Sequence, residues 1–217
     1  MRALVIMTYQ SAEQLCKMHR SSWLKNVKPD VEIYAGGTNK GFWSAPGAAQ
    51  IRHGRDAYPD ENIHSGDRNM PERLAHATAD AYARGAKTVV VVEPDVWFWR
   101  EPPLNDGITC RPFWEKPNVG YLHWPYVLNG PWGKKFSQAM LSAVSAGESS
   151  AEWGSFPDRF AAHVATKHGI PIHAGNQVSF NTIESENQIQ EALTCRANGG
   201  YAVHGIKDTQ TLTRLAL

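Results

Sequence analysis

The sequence predicts an α/β fold with a mixed, mostly parallel central sheet flanked by helices. Three observations predict it. Through the first half of the chain, short apolar runs alternate with segments of helical periodicity. A β-α-β-α-β order with short connections gives a parallel, helix-covered sheet. The four consecutive valines in "KTVVVVEPDV" (87–96) read as a strand buried on both faces. Finally, 217 residues suffice for one sizeable core and are few for two, so 1–217 is read as a single domain.

The elements follow in order. "RALVIMT" (2–8) is a compact apolar run that ends in polar residues, a first strand. "SAEQLCKMHRSSWLKNV" (11–27) places Leu15, Met18 and Leu24 near helical spacing, with Ser11 as the expected cap. "VEIYAGG" (31–37) alternates and ends in two glycines, a second strand. Residues 37–70 are rich in Gly, Pro, Asn and Asp with few periodic apolar positions, and are expected to form a long loop region. "PERLAHATADAYARG" (71–85) is a helix opened by Pro71 and closed by Gly85. The valine strand comes next. Beyond it, "VGYLHWPYVLNG" (119–130) reads as a strand and turn. "GKKFSQAMLSAVSAG" (133–147) and "FPDRFAAHVATKHG" (156–169) read as helices. "IPIHAG" and "QVSFNTI" suggest short strands, and "ENQIQEALTCRANGG" (186–200) a helix ended by paired glycines. The tail from Tyr201 gives a short strand, a polar turn and a closing helix. There is no internal repeat, low-complexity tract or linker.

Composition narrows the function classes. The formal net charge is +1, which gives no reason to expect nucleic acid or a membrane surface as the main partner. No run approaches the roughly 20 apolar residues needed to span a bilayer, and the apolar start is shorter than a signal-peptide core. The three cysteines, Cys16, Cys110 and Cys195, show neither close pairing nor metal-ligand spacing, so a reducing, cytoplasmic setting is expected. Eight tryptophans are unusual for this length. Trp97, Trp99, Trp114, Trp124, Trp132 and Trp153 lie in the middle and second half, where some serve the core and others could stack on sugar rings.

The chemistry concentrates at the end of the valine strand. Residues two apart on a strand point to the same side, so Glu93 and Asp95 can face one ligand. Ligands of open α/β sheets bind beyond the carboxyl ends of the strands. Two carboxylates there repel unless a cation sits between them or one takes up a proton. A hard divalent cation, Mn²⁺ or Mg²⁺, suits such oxygens and typically also holds phosphates. Two simply solvated acids would leave the same trace in the sequence. "AVHGIKD" adds His204, a metal ligand when neutral, and Lys207, a point charge suited to phosphate. Between them Gly205 lets backbone approach a ligand closely. Alone, His204 is equally readable as an ordinary surface or core histidine.

With these residues in view, the chain resembles a GT-A-fold glycosyltransferase, a Rossmann-like nucleotide-sugar enzyme with a metal at an acid-x-acid motif after a βαβα unit. "VVVVEPDVWF" is similar to that motif, with Glu in place of the usual first Asp, and "VHGIK" resembles a late His and Lys used for the metal and the diphosphate. At this length it is similar to the small glycosyltransferase domains of large DNA viruses. The resemblance implies a nucleotide-sugar-binding half (1–100) and an acceptor-binding half (101–217) with a donor-contacting tail. Asp95 is the implied direct metal ligand. Glu93 reaches the ribose, or the metal through water. His204 completes the metal ligands, and Lys207 neutralises the diphosphate. Thr8 and Tyr9 meet the base, although packing explains Tyr9 as well. Asp67 and Arg68 line the donor pocket or merely precede a helix. The tail is expected to gain order when donor binds.

The implied reaction is transfer of a sugar from a UDP-sugar, or next a GDP-sugar, to the hydroxyl of a carbohydrate acceptor. An inverting transfer needs a carboxylate to take the acceptor proton. Asp158 in "EWGSFPDRFAAHV" is the candidate, with Glu152 in reserve; an acid in a first helical turn also simply favours the helix dipole. Exposed aromatics around "HWPYVLNGPWG" would suit the acceptor. Two rivals remain. A nucleotidyltransferase of related fold would carry a Gly-rich loop after strand one, and "TYQSAEQL" has no glycine. A non-catalytic carbohydrate-binding protein would use the tryptophans but would not need the acids.

Overall fold

The computed structural model describes residues 1–38, 41–53, 70–116, 119–148 and 157–216. The elements are β1 (Arg2–Met7), α1 (Glu13–Asn26), β2 (Val31–Gly36), β3 (Ala49–Arg52), α2 (Met70–Ala83), β4 (Thr88–Val92), β5 (Val96–Phe98), β6 (Gly107–Lys116), β7 (Val119–Asn129), α3 (Gly130–Ser145), α4 (Pro157–Lys167), β8 (Ile172–Ala174), β9 (Gln177–Ser179), α5 (Glu186–Ala197), β10 (Ala202–His204) and α6 (Thr209–Ala216). They build an α/β fold on a mixed seven-stranded sheet of order β3-β2-β1-β4-β7-β6-β8. A second sheet, β5-β10-β9, has three strands.

In the large sheet only β7 runs against the others: β1, β2, β3 and β4 pair in parallel, β7 is antiparallel to β4 and β6, and β8 is parallel to β6. The parallel half explains the apolar runs. β4 is buried along its whole length, and β1 from Ala3 to Met7, because helices cover both faces. The chain leaves β1 toward β2 on one side and returns through α2 to β4 on the other. The order therefore reverses between β1 and β4, the crevice where ligands of such sheets collect.

The elements depart from the sequence reading at three places. Ser11 does not cap α1; it lies in a short 3₁₀ turn, Gln10–Ala12, and Ala12 precedes the helix without a side-chain cap bond. The stretch 37–70 holds a strand, β3, a four-residue edge strand of mixed burial that carries too little pattern to be read. β6 was also unread: "GITCRPFWEK" contains a proline and charges, tolerable because its register with β7 is broken by bulges. The segment from Tyr201 forms the strand and closing helix read from the sequence. Residues Ala202–His204 form the middle strand of the small sheet and are buried throughout. Among the described residues no helix is long and apolar enough to cross a membrane.

Candidate functional site

Glu93 and Asp95 come together for a reason other than strand alternation. β4 ends at Val92 and β5 begins at Val96, so both acids sit in the turn between two sheets. The Val96 N–H donates to the Glu93 carbonyl at 3.3 Å, closing a four-residue turn with Pro94 at its second position. Proline favours that position because its φ is already set.

The turn is gripped from both sides. From α1, the Trp23 indole N–H donates to the Val96 carbonyl at 2.7 Å and Asn26 donates to the Phe98 carbonyl at 2.8 Å. From the tail, the Gly205 and Ile206 N–H groups both donate to the Asp95 carbonyl at 3.2 Å. This crossing requires glycine: Gly205 has φ +102°, and a Cβ there would stand 2.6 Å from the Phe180 carbonyl oxygen. The buried His19 ring of α1 lies 2.9 Å from the Ile206 carbonyl, so the same helix also holds the tail.

His204 projects from β10 between the acids. Its Nε2 lies 2.8 Å from Glu93 Oε2 and 3.1 Å from Asp95 Oδ1, and its Nδ1 lies 2.9 Å from the Ser179 hydroxyl of β9. Burial disfavours a charge on this ring. Asp95, by charge and hydrogen bond, and then Glu93 outweigh it and push its pKa up to about 10. Burial likewise opposes ionisation of Asp95, yet the charge and hydrogen bond of His204, then Lys207 and His19, hold that carboxyl below its ordinary range. The imidazolium thus carries the positive charge that two adjacent acids demand, and it must give up that proton before Nε2 can ligate a cation in its place.

The ligand atoms of Glu93, Asp95 and His204 lie within 4.8 Å of one another, and they are the one such cluster among the described residues. Two carboxylates and one imidazole fit Mn²⁺ or Mg²⁺ in donor type, with positions left for a phosphate or water. Lys207 Nζ, half-exposed, lies 3.9 Å from Asp95 Oδ2, at the rim of the cluster.

Of the other sequence candidates, Thr8 follows β1 but turns inward: its hydroxyl is buried, 3.9 Å from Cys16 Sγ, so it presents no side chain to a ligand. Tyr9 is 41 % exposed. Desolvation, then the charges of Asp95 and Glu93, push its pKa up to about 12, so the phenol stays protonated. Asp67, Arg68, Glu152 and Trp153 lie outside the described residues. Asp158 opens α4, and its Oδ1 accepts from the Arg159 N–H at 3.1 Å, as an acid in a first turn does. Its Oδ2 lies 3.8 Å from His123 Nδ1, a neighbour that no spacing in the chain singles out.

The side chains of Trp114 and Trp153 are not among those described; the other tryptophans named above serve packing or lie away from the acids. Trp124 is buried and stacked on Tyr126 at 4.1 Å, and Trp97 and Trp99 pack in the small sheet's apolar cluster. Trp132 follows β7 at the Asn129 end, opposite Thr88, and so belongs to the edge of the sheet away from Glu93. On the β6–β7 hairpin Phe113 is exposed and the partly buried Tyr121 lies 6.2 Å from it, ring centre to ring centre. No family model matches the chain, and no curated protein matches it.

Proposed function

We propose that the protein is a metal-dependent glycosyltransferase of GT-A type. It would move a sugar from a nucleoside diphosphate sugar, UDP first and GDP next, to an acceptor hydroxyl of a glycan, with inversion. The observation that carries the reading is the convergence of Glu93, Asp95 and His204 at the carboxyl ends of β1 and β4, with Lys207 at the rim. That crevice suits a nucleotide, and the three ligands suit a divalent cation. The chemistry supplied by Mn²⁺ or Mg²⁺ there is neutralisation of the diphosphate as it leaves. Asp95 and His204, both buried and hydrogen-bonded, provide rigid ligands. Glu93, more open at 26 % side-chain exposure, serves either the ion or the ribose. Lys207 meets the diphosphate, and Tyr9 flanks it. The three free cysteines are in keeping with a reducing, cytoplasmic setting.

Calorimetric titration of UDP and GDP, with and without Mn²⁺, tests the reading. Binding should require the cation and disappear in Asp95→Asn, which keeps the buried volume while removing the charge. Lys207→Ala should weaken it by roughly 10- to 150-fold, the worth of one charged hydrogen bond. Nucleotide bound equally well without the cation, or undiminished in Asp95→Asn, would overturn the proposal.

A further inference from the structure

β4 pairs with β7 only from Tyr126 to Asn129, whereas β6 and β7 stay paired out to Lys116 and Val119. The hairpin therefore runs on past the end of β4, beside the acid turn. Along this overhang Arg111 faces His123 and Phe113 faces Tyr121. The Tyr121 and His123 rings lie 6.0 Å apart and nearly coplanar in orientation, at 6°, and the 54 % exposed Phe113 continues the row outward.

α4 covers the inner end of this row. Arg159 lies over the Tyr121 ring at 4.4 Å, and Asp158 Oδ2 reaches His123 Nδ1 at 3.8 Å. From the small sheet, Gln177 of β9 donates to the His123 carbonyl at 3.2 Å, which ties the overhang to the strands around His204. His123 itself is 35 % exposed. Its charged form is disfavoured by burial first, then by Arg111 and His204, so the ring is neutral near pH 7. His123 therefore offers a neutral imidazole, partly exposed, with Nδ1 facing a carboxylate, the pairing a general base uses once the two close to hydrogen-bond distance.

We propose that His123 takes the proton of the attacking hydroxyl, with Asp158 as its positioning residue; this rests on the glycosyltransferase reading above. The acceptor O–H bond breaks and its proton passes to His123 Nε2. The freed oxygen pair forms the bond to the anomeric carbon. The bond from that carbon to the diphosphate oxygen breaks, and its electron pair leaves with the diphosphate. Asp158 stays ionised and holds the imidazolium.

Water serves as the probe acceptor. The full-length protein with Mn²⁺ is given UDP-glucose, UDP-galactose, UDP-N-acetylglucosamine and GDP-mannose, and release of nucleoside diphosphate is followed against pH. His123→Gln should lower release by about 10²–10⁴-fold and erase its acidic limb while leaving nucleotide binding unchanged. Asp158→Asn should keep that limb but move it to lower pH, because the imidazolium loses its carboxylate. An NMR titration of His123 in the metal-free protein gives a readout independent of turnover, and its midpoint should fall in Asp158→Asn. Normal release by His123→Gln overturns the proposal. So does an Asp158→Asn loss far exceeding that of His123→Gln, which would make the carboxylate itself the base, or a midpoint indifferent to Asp158. If the protein binds nucleotide yet releases none from any donor, the dyad assignment fails and the binding reading survives. If cation-dependent binding is absent, both fail.

Discussion

Gly205 shows how one backbone position can serve a whole site. A β-carbon there would meet the Phe180 carbonyl at 2.6 Å, and φ is +102°, so Gly205→Ala is strained twice. It should cost about 1–3 kcal/mol in urea unfolding and abolish cation-dependent nucleotide binding, because His204 and the Ile206 N–H move together. Beside it, His19 is fully buried with Nδ1 unpartnered, and burial lowers its pKa to about 4, against 6.5 in an unfolded chain. The folded state therefore binds fewer protons between those values. The contribution of this ring is flat above about pH 6.5 and costs stability as pH drops toward 4, by about 3 kcal/mol in all. Unfolding midpoints compared at pH 7 and 4 should show this loss, and His19→Gln should show less of it. Glu93, Asp95, His204 and Lys207 are legible as candidates, since two acids follow a buried valine strand and a His-Gly-x-Lys run stands in the tail, although solvated acids and an ordinary histidine leave the same trace. His123 was not, because its partner Asp158 is brought near by packing of α4 on β7 and by no spacing within the chain.

Among the elements, the apolar runs of β1 and β4 are readable because strands buried on both faces carry no polar alternation, and β2 is readable from its alternation and closing glycines. β3 and β6 were not. One is a short edge strand, and the other takes its place from the register of β7 and from bulges that no local pattern announces. Strand alternation does not account for the acid turn: the sheet changes between Val92 and Val96, and the turn does the aligning. Its anchor from α1 is testable. Trp23→Phe keeps the buried ring but removes the donor to the Val96 carbonyl, and should cost about 1–3 kcal/mol in chemical denaturation. Nucleotide affinity should fall with it.

For the molecule as a whole, the tail changes from an accessory to a structural part. Ending the chain before Val203 would take the middle strand out of the small sheet and uncover the cluster of Val178, Ile183, Ile189 and Ala192. Such a chain should lose near-UV circular dichroism and melt at lower temperature even without ligand. Loss of nucleotide binding in it would therefore not isolate His204 and Lys207, which need the single substitutions. One further consequence follows from the grip of α1, whose Trp23 and Asn26 hold β5 and whose His19 lies against Ile206. Opening that helix means releasing the acid turn and the tail together, so the slowest amide hydrogens of α1 exchange only when the site comes apart. Occupancy of the site should then be recorded as slower deuterium uptake along Glu13–Asn26, in a helix that lends the cluster none of its ligands.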